Sequence, residues 1–350
     1  MPVAPRSSVV GSVAALLCAA AIAICVAQIG RVAPAADHHM HLQSTRMVGV
    51  LVRLKQQFKE VVEPGDRAVL GAAEAIAALD AAGIPKAAVL SGAYLIGSPD
   101  ITIGNELREV QAENSWTAAQ AGLYPARLTG FCSVNPLKPY AEAEVARCAS
   151  IGLRGLKLHL TNSAVELSNP AHLARLASVV GTANRVRMPL LIHMRTRAAA
   201  YGAKDARALF EQVLPAAPDV PVVIAHMAGW GGYDRATDAA LGAFAAACAA
   251  TPEPCRRLWF ELAMTVIPEG AAPAPAGAAL RRLADAQRDF PDANQRLTSR
   301  IRSLGAGRVL FGSDWPSMTP IDSQEAVRRG LPLQPDELKT IFTNTAPYLR

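Results

Sequence analysis

The sequence predicts an α/β protein, a single-domain (β/α)8 TIM barrel over residues 36–350. A signal peptide or membrane anchor is expected ahead of it, over 1–35. Three observations carry the barrel. Short apolar, β-rich runs alternate with Ala-rich helical stretches along the whole body, there are eight such runs, and no phosphate-cradling glycine loop follows the first. Strands buried on both faces belong to a parallel sheet, and eight strand–helix units favour a closed barrel over a doubly wound sheet. The 350 residues are 51% hydrophobic, enough for one large core.

The first element is an uncharged stretch from Ser7 to Gly30, behind Arg6. It reads as a secretory signal, although its apolar run approaches the roughly 20 residues that span a bilayer. Cleavage after Ala35 fits the small-residue rule, cleavage after Ala27 would leave Gln28 to Ala36 to build the first strand, and cleaved or anchored the body is exported to the periplasm or the outside. Strands are expected at 36–42, 86–93, 127–134, 153–159, 189–193, 221–226, 258–263 and 308–314, with helices such as 71–82, 140–150, 169–184, 203–214 and 236–249 between them. A proline-rich loop over 266–277 follows the seventh strand. Cys18 and Cys25 lie in the N-terminal segment. The other four, Cys132, Cys148, Cys248 and Cys255, allow three connectivities among which the sequence does not choose; Cys248 and Cys255 could close a short loop, and the favoured reading is buried thiols with that one bridge.

Charged residues make up 18% of the chain and form no block, which argues against a disordered or nucleic-acid-binding protein. The net charge is +6, with Arg6 and Arg31 in the N-terminal segment. The small excess left on the body mildly favours anionic substrates.

The chemistry begins at Asp37-His38-His39-Met40-His41. On a strand, alternate residues share a face, so Asp37, His39 and His41 point one way and His38 and Met40 the other. Two imidazoles so placed reach one metal ion. His193, His226 and Asp314 end the fifth, sixth and eighth expected strands, and the C-terminal strand ends of a barrel converge on one mouth. Imidazoles with one carboxylate suit Zn²⁺, with Mn²⁺ or Fe²⁺ as alternatives. Lys157 and His159 share a face of the fourth strand, and His159 stands nearer the mouth, where it is expected to face the substrate or back a ligand. Arg195 follows His193 and is suited to clamping a carboxylate. Trp230, Trp315 and Tyr94 follow strand ends, where they can wall a pocket. Glu261 lies within the seventh strand without an evident role beyond partnering a buried cation.

These motifs, with Gly152-Leu-Arg-Gly-Leu-Lys-Leu-His159, Phe311-Gly-Ser-Asp-Trp-Pro316 and Asn344-Thr-Ala-Pro-Tyr348, resemble the amidohydrolase superfamily. The resemblance is to the amidohydrolase-related branch that includes aminocarboxymuconate-semialdehyde decarboxylase and pyrone-dicarboxylate lactonase. It implies that His39, His41, His193 and Asp314 hold a metal and that Asp314 also serves as the base. His226 would handle protons or bind a second metal, and Lys157 would support the site or bridge two ions. One metal per chain is expected. The implied function is hydrolysis of a small carboxylate-bearing ester, lactone or amide by metal-activated water, with non-oxidative decarboxylation as the alternative and a non-catalytic metal-binding barrel as the third reading. The expected partner is a small molecule, with no nucleic acid, with membrane contact only through the N-terminal segment, and with a homo-oligomer open.

Overall fold

The computed structural model describes residues 32–266, 285 and 288–350. The expected signal or anchor up to residue 31, with Cys18 and Cys25, and the proline-rich loop beyond Val266 lie outside them. Eight parallel strands run in sequence order: β1 (Asp37–His41), β2 (Ala87–Leu90), β3 (Leu128–Ser133), β4 (Gly155–His159), β5 (Leu190–His193), β6 (Val222–Ile224), β7 (Leu258–Glu261) and β8 (Val309–Leu310). All eight fall inside their expected ranges. The sixth and eighth stop short, so His226 and Asp314 stand just beyond strands rather than on them.

The sheet closes through the segment that follows β8. Phe311 carbonyl accepts from His38 N–H at 3.0 Å, His39 carbonyl accepts from Asp314 N–H at 2.8 Å, and Trp315 carbonyl accepts from His41 N–H at 2.6 Å. The Asp37 carboxylate adds a second tie, taking the backbone N–H of both His39 and Ser313 at 3.0 Å. His38 points away from the mouth, as alternation requires. Its Nδ1 donates to Phe311 carbonyl at 2.8 Å and its Nε2 accepts from Ala346 N–H at 3.1 Å. It is a fully partnered core histidine.

Alternation also divides the core. Ala88, Leu90, Phe131, Leu191, Val223 and Leu310 pack inside the barrel with Ala346 and Leu349 of the C-terminal turn. Val89, Cys132, Leu190, Ile192 and Phe260 face outward onto the helices. Gly155 makes room for the interior ring of Phe131, which would lie 2.3 Å from a Cβ there.

The helices Ala72–Ala81, Ala141–Ser150, Pro170–Arg185, Ala203–Gln212 and Arg235–Ala250 match expectation within two residues. Among the described residues no helix is long and apolar enough to cross a membrane. The expected Cys248–Cys255 bridge is present, at a sequence separation of 7. The reading of Cys132 and Cys148 as thiols is corrected: they are bonded to each other across 16 residues. Cys132 faces outward from β3, and the helix Ala141–Ser150 lies back over that face, a juxtaposition that only tertiary packing creates.

Candidate active site

Two hydrogen bonds fix the imidazoles at the mouth. His39 Nδ1 lies 2.9 Å from Glu261 Oε1, and His226 Nδ1 lies 2.7 Å from the Ala263 carbonyl. Carbonyl and carboxylate oxygens only accept, so both Nδ1 atoms carry the proton and both Nε2 atoms present bare lone pairs. Metal-ligating histidines are commonly fixed in this way, by a carboxylate or carbonyl behind the ring. Glu261 also accepts the backbone N–H of His226, at 2.8 Å, and that of Ala263. One buried carboxylate therefore orients β1, β6 and β7 together. Gly312 lets the β8 segment pass close by, since a Cβ there would stand 2.8 Å from Glu261 Oε2.

In front of His39 the donors crowd. His39 Nε2 lies 3.1 Å from His41 Nε2 and 3.2 Å from Asp314 Oδ1, and His41 Nε2 lies 3.4 Å from Asp314 Oδ1. Ligands held about 2.0–2.1 Å from a tetrahedral ion stand roughly 3.3 Å apart, so this triangle has the edge length of a coordination shell. His226 joins His39 and Asp314 in a second triplet whose ligand atoms lie within 4.8 Å of one another. His193 is buried beside them, its ring 4.9 Å from that of His226, and its Nε2 has no hydrogen-bond partner. A buried polar atom without a partner is costly and calls for one. These residues fit a divalent ion.

Electrostatics agrees. Burial holds His39, His159 and His193 far below the ordinary imidazole pKa, and so neutral. Burial pushes Asp314 up, yet among its neighbours the carboxyl is held below its ordinary range, and so ionised. Lys157 is fully buried, and burial lowers its ammonium to about 8. Its Nζ stands 3.0 Å from His39 Nε2, inside the donor cluster. Asp314 and His226 both have left-handed backbones, with φ of 63° and 53°, the kind of strain that collects at functional sites.

The family model for amidohydrolases matches residues 36–347. The chain belongs to the amidohydrolase family. Among solved structures, 5-carboxyvanillate decarboxylase LigW from Sphingomonas paucimobilis aligns at a TM-score of 0.59 and 14% identity, over 90% of this chain and 97% of that one. A 5-carboxyvanillate decarboxylase from Novosphingobium aromaticivorans, complexed with manganese and 4-hydroxy-3-methoxy-5-nitrobenzoic acid, gives 0.58 and 14%, over 89% and 94%. A candidate 2-pyrone-4,6-dicarboxylic acid hydrolase from Pseudomonas putida gives 0.50 and 16%, over 90% and 97%. At such identities the likeness speaks for the fold. No curated protein matches the chain.

Around this amidohydrolase centre the remaining expected residues separate. His159 stacks on His193 at 3.8 Å between ring centroids, and Tyr94 stacks on His159 at 4.8 Å. Trp315 is buried in the β1–β8 seam, its backbone paired with Met40. A cleft of about 420 Å³ opens beyond β5 and β6, lined by Arg195, Arg197, Trp230 and Asp234 among others. Arg195 reaches it already engaged, its two terminal nitrogens each 3.1 Å from Asp234. Glu261 partners histidine rather than the lysine or arginine expected of it. Its strand position showed that it is buried, and nothing local showed that two imidazole-bearing elements share it. Tyr201 and Asp234 left no signal in the sequence.

Proposed function

We propose that this amidohydrolase is an exported enzyme that hydrolyses a small carboxylate-bearing ester, lactone or amide. The observation that carries it is the convergence of fixed imidazole lone pairs and one ionised carboxylate at ligand spacing. His39, His41, His193 and Asp314 would hold one ion per chain. Zinc suits the imidazole donors best, and manganese, which a decarboxylase of the same fold binds, is the next choice. Such an ion, when bound, supplies the Lewis acidity that brings a water's pKa to about 7.

The protein's own groups manage the protons. Asp314, ionised and exposed to the mouth, accepts the proton of the attacking water. His226 is restricted by its Nδ1–H bond to Ala263, which leaves Nε2 as its one working atom. The proton that Asp314 takes from the water passes through that Nε2 to the leaving oxygen or nitrogen, so that one proton leaves the water and one reaches the leaving group. Export is supported by the uncharged stretch Ser7 to Gly30 and by two disulfides, bonds that persist in oxidising compartments. Decarboxylation is the second reading, because two solved structures sharing the barrel are decarboxylases. Release of carbon dioxide rather than a new acid group would select it.

The test is metal stoichiometry in wild type and in His193→Ala. About one ion per chain, lost in the variant, is expected of a single site with a ligand removed. Two ions would bring Lys157 and His226 into the ligand set, and an ion count unaffected by the substitution would refute the assignment.

A further inference from the structure

His226, Met227 and Ala228 are three successive residues with left-handed backbones, at φ of 53°, 51° and 70°. L-residues adopt that region only at a steric cost, so the turn persists only if its surroundings hold it. From the β7 side it is held by Glu261 on His226 N–H and by the Ala263 carbonyl on His226 Nδ1. The turn also closes on itself, Gly229 N–H donating to His226 carbonyl at 2.7 Å. Gly229 packs tightly, since a Cβ there would stand 2.9 Å from His226 carbonyl and 3.1 Å from Thr237 Cγ2. From the loop after β5 comes Tyr201, buried, whose hydroxyl donates to Ala228 carbonyl at 2.5 Å.

The other face of Tyr201 leads to the cleft. Arg195 Cζ lies 4.6 Å from the Tyr201 ring centroid, and the same guanidinium pairs with Asp234 on the cleft wall. Cation–π stacking of this kind is stronger when desolvated.

We infer that Tyr201 is a positioning residue for His226, and that Arg195 transmits occupancy of the cleft to it. A substrate that engages Arg195 bears on the Tyr201 ring, and the ring's hydroxyl sets where the His226 turn sits relative to Asp314. The inference rests on the reading of His226 as the proton carrier, so its test includes a signal that needs no turnover.

The signal is the His226 Nδ1–H in zinc-loaded protein labelled with ¹⁵N-histidine, assigned by its absence in His226→Gln. Tyr201→Phe keeps the ring under Arg195 and removes only the bond to Ala228. It is expected to speed exchange of that N–H by about tenfold, with metal content unchanged. Turnover of the carboxylate-bearing aryl lactone coumarin-3-carboxylate should fall roughly 10- to 100-fold, with KM within about twofold of wild type. Arg195→Lys, which keeps the charge facing Asp234 but loses the planar stack, should raise KM and quicken the same exchange. Wild-type exchange and wild-type kcat in Tyr201→Phe would overturn the inference. So would a parallel loss of metal, which would make the residue merely structural. If wild-type protein leaves the lactone intact, the proposed substrate class fails while the exchange measurement still decides the role of Tyr201.

Discussion

Glu261 is the residue on which the centre turns, because three donors from three segments end on its two oxygens while His39 depends on it for its tautomer. An amide in its place can accept on one oxygen only, and its NH2 group would face a backbone N–H. Glu261→Gln is therefore expected to weaken metal binding by about 10- to 100-fold, read by competition with a chromogenic chelator, while the far-ultraviolet dichroism stays unchanged. Unaltered affinity would mean that the lone pair of His39 is aimed by packing alone. Lys157 illustrates the limit of single-residue reading. Alternation put it on the inward face, and its 3.0 Å approach to His39 depended on how far across the barrel β1 and β4 stand.

At the scale of elements, the β1–β8 seam is made by side chains as much as by backbone. His38→Ala would leave the buried Ala346 N–H unpaired, at roughly 1–3 kcal/mol, and would take one of the two donors from the Phe311 carbonyl, at about 1 kcal/mol more. Urea melts should show a loss of about 2–4 kcal/mol; a smaller loss would mean that water replaces the ring. The helix Glu106–Leu123 carries a second buried acid, Glu113. Ser44 hydroxyl donates to its Oε2 at 2.5 Å, its Oε1 has no hydrogen-bond partner, and burial raises its carboxyl to about 7. The folded state then holds a proton that the unfolded state releases near the ordinary value of 4.5. Stability should fall as pH rises from about 4.5 to 7, by on the order of 3 kcal/mol, and level off above. Glu113→Gln removes the dependence, so its advantage in melting temperature over wild type should grow across that window. A constant difference would show that Arg46, 3.7 Å from Glu113 Oε2, keeps the acid ionised.

For the whole molecule, two covalent links reinforce a single barrel. In the chain-entropy model, loops of 7 and 16 residues correspond to about 2.5 and 3 kcal/mol respectively. Cys132→Ser with Cys148→Ser should therefore cost more stability than Cys248→Ser with Cys255→Ser, provided the buried serines add their own desolvation cost. Denaturant melts of the two double variants, with and without reductant, check the order. Reductant should lower wild type to below either variant and leave a four-serine variant untouched.

The barrel was legible because its signal is local. Period-two alternation and eight apolar runs follow from the chain alone, and the same alternation assigned His39 and His41 to the mouth and His38 to the core. His193, His226 and Asp314 were found because strand ends converge in any such barrel. What the tertiary structure decided are the relations between elements: the sharing of Glu261 by His39 and His226, the approach of Lys157, the seating of Trp315 in the seam, and the Tyr201 contact with Ala228. Each is a through-space distance between segments far apart in sequence. Such distances depend on strand register, on left-handed turns after β6 and β8, and on packing across the barrel, which no local periodicity encodes.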